Sequence, residues 1–538
     1  MKILFKILFG AGSGVLVSFG QNALSSSLGP LAAALGFAPY WKSLDGLPSK
    51  TVYTLSFLWF WAVHLVQLSW MTDTTYHGGC IWIVYLLLTA LIGTQFAFLT
   101  KKIQSAASLG SVSVLGLSGL WVLMEWIRYY FLSGFPFNPV GLSLSCHPFS
   151  LQFVSLLGIL GLSFWVVMTN LLALRLFRKS RSFSYLVQWG VVAFFPYVFG
   201  ACHIAFHESA SKKNRAPPYT ILAFQTGLKP SEKYRLQNRI KEFIFPVRQW
   251  KNALEEIAPY VNGKPDLVLF PEAVFPFGFN QYLYDTKMMQ DLVAFHLGPE
   301  VRQSFPPEIP PFGNGKKVSN AYPMQTLANF LGTQVVAGLD IEESEGLYNS
   351  AFSFEPGKLP ERYDKRVLLP LVEYLPFNLL RKISESYGIH GFFNRGEEAK
   401  LLGELRVAPS ICYEELFPHL IRESALLNPN LFVNLSNDGW FPSSSLPEQH
   451  FTQGLIRAAE NGRPLVRSCC TGITAAVDGM GRVVAKIEGR QKGVLYTTLS
   501  SYRYNTLFSE IGQMPLIAFS LLFLLLSEKR ERAVLKRG

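Results

Sequence analysis

The sequence predicts a chain in two parts: a multispan α-helical membrane region of eight transmembrane helices, and a layered α/β or α+β domain set between the seventh and the eighth. Three observations predict it. Apolar runs long enough to cross a bilayer crowd residues 1–206 and return at 507–526. Between them the pattern changes to short β-rich runs separated by longer helical patterns. Charged residues make up only 16% of the 538-residue chain, against roughly 25% in an average soluble protein, and mean hydropathy is +0.22.

A hydrocarbon core takes about 20 apolar residues per helix. Runs near Ile3–Phe19, Leu28–Trp41, Thr51–Met71, Cys80–Leu99, Leu109–Phe131, Leu151–Phe177, Tyr185–Phe206 and Leu507–Leu526 meet this need. The second is short and holds Pro30 and Pro39, so a break or tilt is expected there. The first starts with charge, like a signal peptide, but lacks a small-residue cleavage site and is read as retained. Lys2, Lys6, Lys42, Lys50, Lys101, Lys102, Arg175, Arg178, Lys179, Arg181 and the tail SEKRERAVLKRG fall in every second loop. The alternate loops QNALSSS, TDTTYHGG and SGFPFNPVGLSLSCHP hold no Lys or Arg. That asymmetry places both termini in the cytoplasm and His207–Asn505 on the outer side. The expected division is 1–206, 207–505 and 506–538.

Net charge is +12. Much of it sits in short loops between spans, where topology explains it. No zinc-finger spacing or aromatic–basic motif accompanies it, so the membrane, and not a nucleic acid, is the expected partner. The six Cys form no CxxC pair, so no metal site of the zinc-ribbon type is expected. Cys80, Cys146 and Cys202 fall on the outer side, where an oxidising compartment permits a disulfide between two of them. Glu125 and Arg128, costly in lipid, are three apart on one helix face. They are candidates to pair, to hold the soluble domain down, or, for Arg128, to bind a phosphate headgroup.

After the linker SKKNRAPP (Ser211–Pro218), β-like runs are expected at Tyr219–Gln225, Asp266–Phe270, Gln334–Gly338, Asn349–Phe354, Leu405–Ile411, Leu431–Asn434, Leu465–Cys470, Ile473–Val477 and Val494–Thr498. Glu232–Ile257 reads as helix, kinked or split at Pro246. Phe275–Asn320 is long and rich in aromatics, Met and Pro. It reads as a lid dipping into the outer leaflet, or else as a core helix with a surface loop.

Polar, reactive groups end four of these runs: Glu272 in FPEAVFPF, Lys365 in ERYDKR, Cys412 in SICYEELFP, and Asn437, Asp438 and Trp440 in NLSNDGWF. Strand ends of this kind converge on one crevice. A Cys nucleophile needs a base, since only a few per cent is thiolate near neutrality. The only His close to Cys412 in sequence is His419, after Pro418, at a helix start. A carboxylate base with a lysine partner is the alternative. Each residue also has a plainer reading. A Cys after an apolar strand is commonly core filler. Glu272 fits a strand-end surface acid, Lys365 fits solvated charge, and Asn437–Asp438–Gly439 fits turn chemistry. Glu373 sits in an apolar stretch where an unpaired carboxylate is costly, which favours a paired or functional role.

Taken in order, Glu272 in PEA, Lys365 in YDKRVLLP and Cys412 in ICYEE resemble the Glu–Lys–Cys triad of the nitrilase-like carbon–nitrogen hydrolases. WVLMEWIRYYFLSGFPF (Trp121–Phe137), LYNSAF (Leu347–Phe352), LVEYLPF (Leu371–Phe377), NLSNDGWF (Asn434–Phe441) and RAAENGRPLVR (Arg457–Arg467) narrow the likeness to the apolipoprotein N-acyltransferase family, over nearly the whole chain. The resemblance implies a four-layer αββα nitrilase-like domain facing the periplasm from a bacterial inner membrane. It implies transfer of an acyl chain from a phospholipid, through a Cys412 thioester, to the α-amine of a diacylglyceryl-cysteine on an apolipoprotein. Glu272 would be the proton acceptor and Lys365 the oxyanion donor. Glu373, Tyr413 and Glu414 match further family positions, and Tyr234, Asn437 and Trp440 are expected to support or bind substrate. No cofactor and no metal are implied, and a monomer is expected. The rival readings are a membrane-anchored amidase, with water resolving the thioester, and a non-catalytic scaffold. The chain departs from the family at Asp364, Cys470 and Pro442, and at Tyr234, where a Trp is usual.

Overall fold

The structure is a computed structural model that describes the chain apart from residues 1, 22, 107–108, 132–133, 180–181, 214–215, 371, 376–391 and 536–538. Arg181, the last residues of the basic tail and part of the Leu371–Phe377 motif lie outside the described residues.

The first part is helical. Ile81–Ser105, Val154–Arg178 and Phe183–Lys213 are long and apolar enough to cross a membrane. Lys2–Phe19, Ser49–Gln67, Ser111–Ile127 and the late helix Met514–Leu535 accompany them. The run expected as a second span is two short helices, Gly29–Leu35 and Ala38–Ser43. Pro39 has no amide hydrogen with which to continue the ladder. Asn170, on Val154–Arg178, serves the break. Its Oδ1 accepts from Phe37 N at 2.8 Å and its Nδ2 donates to Ala33 O at 2.7 Å. In an apolar surround each of those backbone groups needs such a partner. Glu125 and Arg128 are buried and 3.7 Å apart, and Glu125 Oε1 also accepts from Trp121 and from Val140 N. Cys80, Cys146 and Cys202 are free thiols, so the expected outer-face disulfide is not formed. They sit on separate elements, and the Cys146 thiol donates to Leu142 O.

Thirteen strands follow among the described residues. A six-stranded sheet holds β1 (Tyr219–Gln225), β2 (Leu267–Phe270), β5 (Gln334–Glu343), β6 (Gly346–Phe354), β7 (Glu361–Asp364) and β13 (Gly493–Leu499), in the order β13-β1-β2-β5-β6-β7. A five-stranded sheet holds β8 (Val407–Ile411), β9 (Leu431–Ser436), β10 (Leu465–Cys469), β11 (Thr474–Val477) and β12 (Val483–Ile487), in the order β12-β11-β10-β9-β8. A small ribbon pairs β3 (Tyr284–Asp285) with β4 (Lys317–Val318). The period-2 alternation of strand side chains builds the layers. Ile221, Ala223, Leu267 and Leu269 meet Ile411, Val433, Leu435 and Val466 between the sheets. Their alternates Leu222, Phe224, Val268 and Phe270 pack against the helices Pro246–Ile257, Thr286–Leu297 and Ala321–Leu331. On the far side, Ala408, Phe432 and Leu465 pack against Pro418–Leu426 and Leu446–Asn461. The result is an αββα sandwich.

Two expectations change here. Pro246 does not interrupt a helix. It begins one, at the first turn, where its missing N–H costs nothing. Of its two readings, Phe275–Asn320 takes the core helix with a surface loop over the lid: Phe275, Phe279, Tyr284, Met289 and Val301 are buried in the helix layer against the first sheet, while Phe277, Phe295 and Ile309 are exposed.

The helical part and the sandwich are joined near the site. Val154–Arg178 bends at Gly158, where φ is +68° and a Cβ would come within 2.5 Å of the Phe508 ring. Just beyond, Ile159 N donates to Glu460 Oε1 of Leu446–Asn461 at 2.7 Å. Tyr413 O–H donates to Gly134 O at 2.7 Å, between the described ends of the Phe131–Phe137 loop and the turn after β8.

Candidate active site

Each parallel strand of the two sheets delivers its carboxyl end to the same edge, and the polar residues gather there. Glu272 follows β2, Lys365 follows β7, Cys412 follows β8, and Asn437 and Asp438 follow β9. All five line one cavity of about 290 Å³. Trp70, His77 and Phe137 of the helical part close its other wall.

Glu272 and Lys365 are buried, at 6% and 1% exposure, so neither is a surface charge. Lys365 Nζ lies 3.1 Å from Glu272 Oε1 and 2.8 Å from Glu373 Oε1. Asn349 Nδ2 donates to Glu272 Oε1 at 2.8 Å and to Glu373 Oε1 at 3.4 Å. Both of these side-chain contacts to Glu272 fall on Oε1. Burial opposes the Lys365 ammonium, but the Glu272 and Glu373 carboxylates outweigh it and drive its pKa upward. The Cys412 thiol is pushed well above its ordinary range by burial and by the charge of Glu272, with Lys365 pulling the other way. At rest it is a thiol, within the electrostatic reach of both groups.

The backbone is tuned to this arrangement. Cys412 has φ +49° and Ala273, beside Glu272, has φ +41°, both in the left-handed region that non-glycine residues occupy only when their surroundings enforce it. Glu414 enforces the first. Its carboxylate accepts from Ile411 N at 2.7 Å, from Arg366 N and from Tyr363 O–H, tying the turn after β8 to the loop that carries Lys365. Glu414 is thus a brace outside the cavity. Gly338 of β5 permits the second, since a Cβ there would lie 2.6 Å from Glu272 Cα. Gly338→Ala should push the Glu272 turn aside and destabilise the fold by about 1–3 kcal/mol, as overpacking does. Denaturant unfolding checks this.

The supporting residues separate. Tyr234 and Trp440 stack at 6.3 Å on the cavity wall. Asn437 lines the cavity, but its Oδ1 accepts from Gly439 N, so it also performs the turn chemistry its sequence suggests. Lys233 Nζ donates to Glu272 O at 3.0 Å and contacts Cys470 Sγ at 3.4 Å, which gives the unusual Cys470 a packing partner behind Glu272. His419 stacks on Tyr130, away from the cavity.

Of the cavity residues that were not foreseen, three are polar groups of the sandwich. Asn349 lies inside the LYNSAF motif but carries no charge to mark it. Asp340 sits directly opposite Asn349 on β5, in a stretch that reads as plain strand. His450 comes from a helix distant in sequence from Cys412. Asp340 Oδ1 is buried without a hydrogen-bond partner among the described residues, and burial pushes the carboxyl up to about 7. A carboxyl raised in the folded state adds stability in acid that is lost as pH rises toward the folded value. Asp340→Asn should therefore raise Tm more at pH 8 than at pH 5, which thermal melting at the two pH values tests. Cys412, Asp438 and His450 have ligand-type atoms within 4.8 Å of one another. Asp438 and His450 are already engaged with each other and with Arg467.

The carbon–nitrogen hydrolase family matches residues 246–506, and the apolipoprotein N-acyltransferase N-terminal domain matches residues 13–172. An apolipoprotein N-acyltransferase of Chlamydia caviae is 31% identical over 96% of this chain and 96% of its own. The chain belongs to the apolipoprotein N-acyltransferase family. Another family relative, from Shewanella oneidensis, is 29% identical over 80% of this chain and 76% of its own. Among solved structures, the nitrilase-superfamily protein Nit3 of Saccharomyces cerevisiae aligns with 53% of this chain and 91% of its own, at 16% identity and a TM-score of 0.35.

Proposed function

We propose that this chain moves an acyl chain from a phospholipid to the α-amine of an N-terminal diacylglyceryl-cysteine, through a thioester on Cys412. The observation that carries the reading is the cavity itself. Glu272, Lys365 and Cys412 line one side of it, and Trp70 and Phe137, from the connections between helices of the first part, line the other. A hydrolase of small soluble amides needs no such second wall.

Glu272 takes the Cys412 proton as the sulfur attacks the ester carbonyl. The ester C–O bond breaks, and the lysophospholipid alkoxide leaves with that proton. The acceptor amine then attacks the thioester and gives its proton to Glu272, and the departing thiolate takes it back. Lys365 Nζ donates to the tetrahedral oxyanion of both steps. Glu373 and Asn349 keep Lys365 and Glu272 aimed, and Tyr413 fixes the turn to the helical part. Tyr234 and Trp440 flank the incoming chains. The helices form eight spans, with the broken pair Gly29–Leu35 and Ala38–Ser43 as the second, and the sandwich faces the periplasm of an inner membrane.

The test follows labelled acyl chain off the enzyme. Full-length protein in detergent is loaded with labelled phospholipid and then challenged with a diacylglyceryl-cysteinyl peptide. The label is expected to pass to the peptide as an amide faster than it appears as free fatty acid. Discharge mainly to water would mark an amidase-type enzyme, and loading of nothing at all a scaffold.

A further inference from the structure

Helix Leu446–Asn461 brings to Cys412 a residue the reaction above does not use. His450 is 3% exposed. Its Nδ1 lies 2.8 Å from Asp438 Oδ1 and its Nε2 lies 3.1 Å from the Cys412 carbonyl oxygen. Both neighbours are acceptors. Arg467 Nη2 is also 3.0 Å from Nδ1, but its two hydrogens are taken by Asp438 Oδ2 at 2.9 Å and Ser436 Oγ at 3.2 Å. A bare Nδ1 would face Asp438 lone pair to lone pair. Both ring nitrogens are therefore placed to donate, the arrangement an imidazolium satisfies.

Charge counting agrees. Four buried groups meet here, Glu415, Asp438, Arg467 and His450, with the self-compensating Arg457–Glu460 pair behind Glu415. Arg467 pairs with both carboxylates, and His450 Nε2 is 3.7 Å from Glu415 Oε2. With an imidazolium the cluster is neutral. With a neutral ring it would carry a buried negative charge beside the sulfur, which is costly. Asp438 on its own opposes the Cys412 thiolate. The other charges acting on the sulfur are Glu272 and Lys365. The strained Cys412 turn has one further carbonyl donor, Asn434 Nδ2, at a longer 3.4 Å.

We propose that His450 is a positioning residue for the nucleophile: its imidazolium pins the Cys412 carbonyl and balances Asp438, so that the sulfur ionises against a neutral surround. This rests on Cys412 being the reacting group of the proposed transfer.

The test is the rate of Cys412 alkylation by iodoacetamide between pH 6 and pH 10, read by peptide mass spectrometry on the full-length protein in detergent. Gln places an N–H near the position of Nε2 without the charge. His450→Gln should alkylate about tenfold more slowly at pH 8, with its profile moved up by about one unit. Adding Asp438→Asn should return the profile toward the parent. A merely structural role would leave the profile in place, and a superimposable profile, or a shift that Asp438→Asn does not reverse, overturns the proposal. If His450→Gln does not fold, His450→Asn takes its place: slower alkylation that Asp438→Asn reverses supports the proposal, and an unchanged profile overturns it. A parent protein that alkylates at Cys412 but never takes acyl chain from phospholipid would instead sink the transfer reading and leave this one standing.

Discussion

Lys365→Met should be the most damaging single change in the chain, in both activity and stability. The methionine fills the space but leaves Glu272 and Glu373 buried, both hydrogen-bonded to Asn349 and with no cation between them. Removing one partner of a buried ion pair typically costs about 3–5 kcal/mol. The variant should therefore melt several degrees below the parent. Acyl-enzyme formation should fall by about 10²–10³-fold through loss of the oxyanion donor alone. A variant with parental Tm would show that Lys365 does not hold the two acids together.

Glu272→Gln should separate base catalysis from thiol ionisation. The amide oxygen can still accept from Asn349 and Lys365, so the local geometry has a substitute. Without a base, acylation by phospholipid should drop by about 10²–10⁴-fold. Alkylation of Cys412 by iodoacetamide should go the other way, because the Glu272 charge holds the thiol pKa up and the substitution removes that charge. Rates of the two reactions on one preparation provide the check. Parallel loss of both would mean that the variant has merely displaced the sulfur.

The contrast between what was foreseen and what was not follows from which interactions are local. Glu272 and Cys412 end apolar runs, and a polar residue at the tip of a buried strand can be read directly from the alternation of its neighbours. Lys365 is harder. Its strand, β7, is the charged edge of the first sheet, reading ERYD, and edge strands carry charge for reasons unrelated to burial. Only the family motif marks it. His450 cannot be found this way at all. Its neighbour Cys412 is set by how a helix lies across the second sheet, a relation with no period in the sequence. The supposed lid fails for a related reason. Its aromatics divide between core and surface, and Phe275 and Phe279 are buried while Phe277 and Phe295 are exposed, a division that composition alone does not carry. The break in the run expected as a second span was legible, because Pro39 acts on its own helix. That Asn170 serves the break was not, because it comes from another helix.

The central claim concerns one atom, and the direct measurement is where the acyl chain sits. Full-length protein is incubated with a phospholipid of defined chain length, quenched in acid, digested and mapped by mass spectrometry. The account predicts one acyl chain, lost on treatment with hydroxylamine, on the peptide that contains Cys412, and none there in Cys412→Ser treated and mapped in the same way. Acyl chain on any other residue, or transfer to the peptide acceptor by Cys412→Ser at the parental rate, would contradict it.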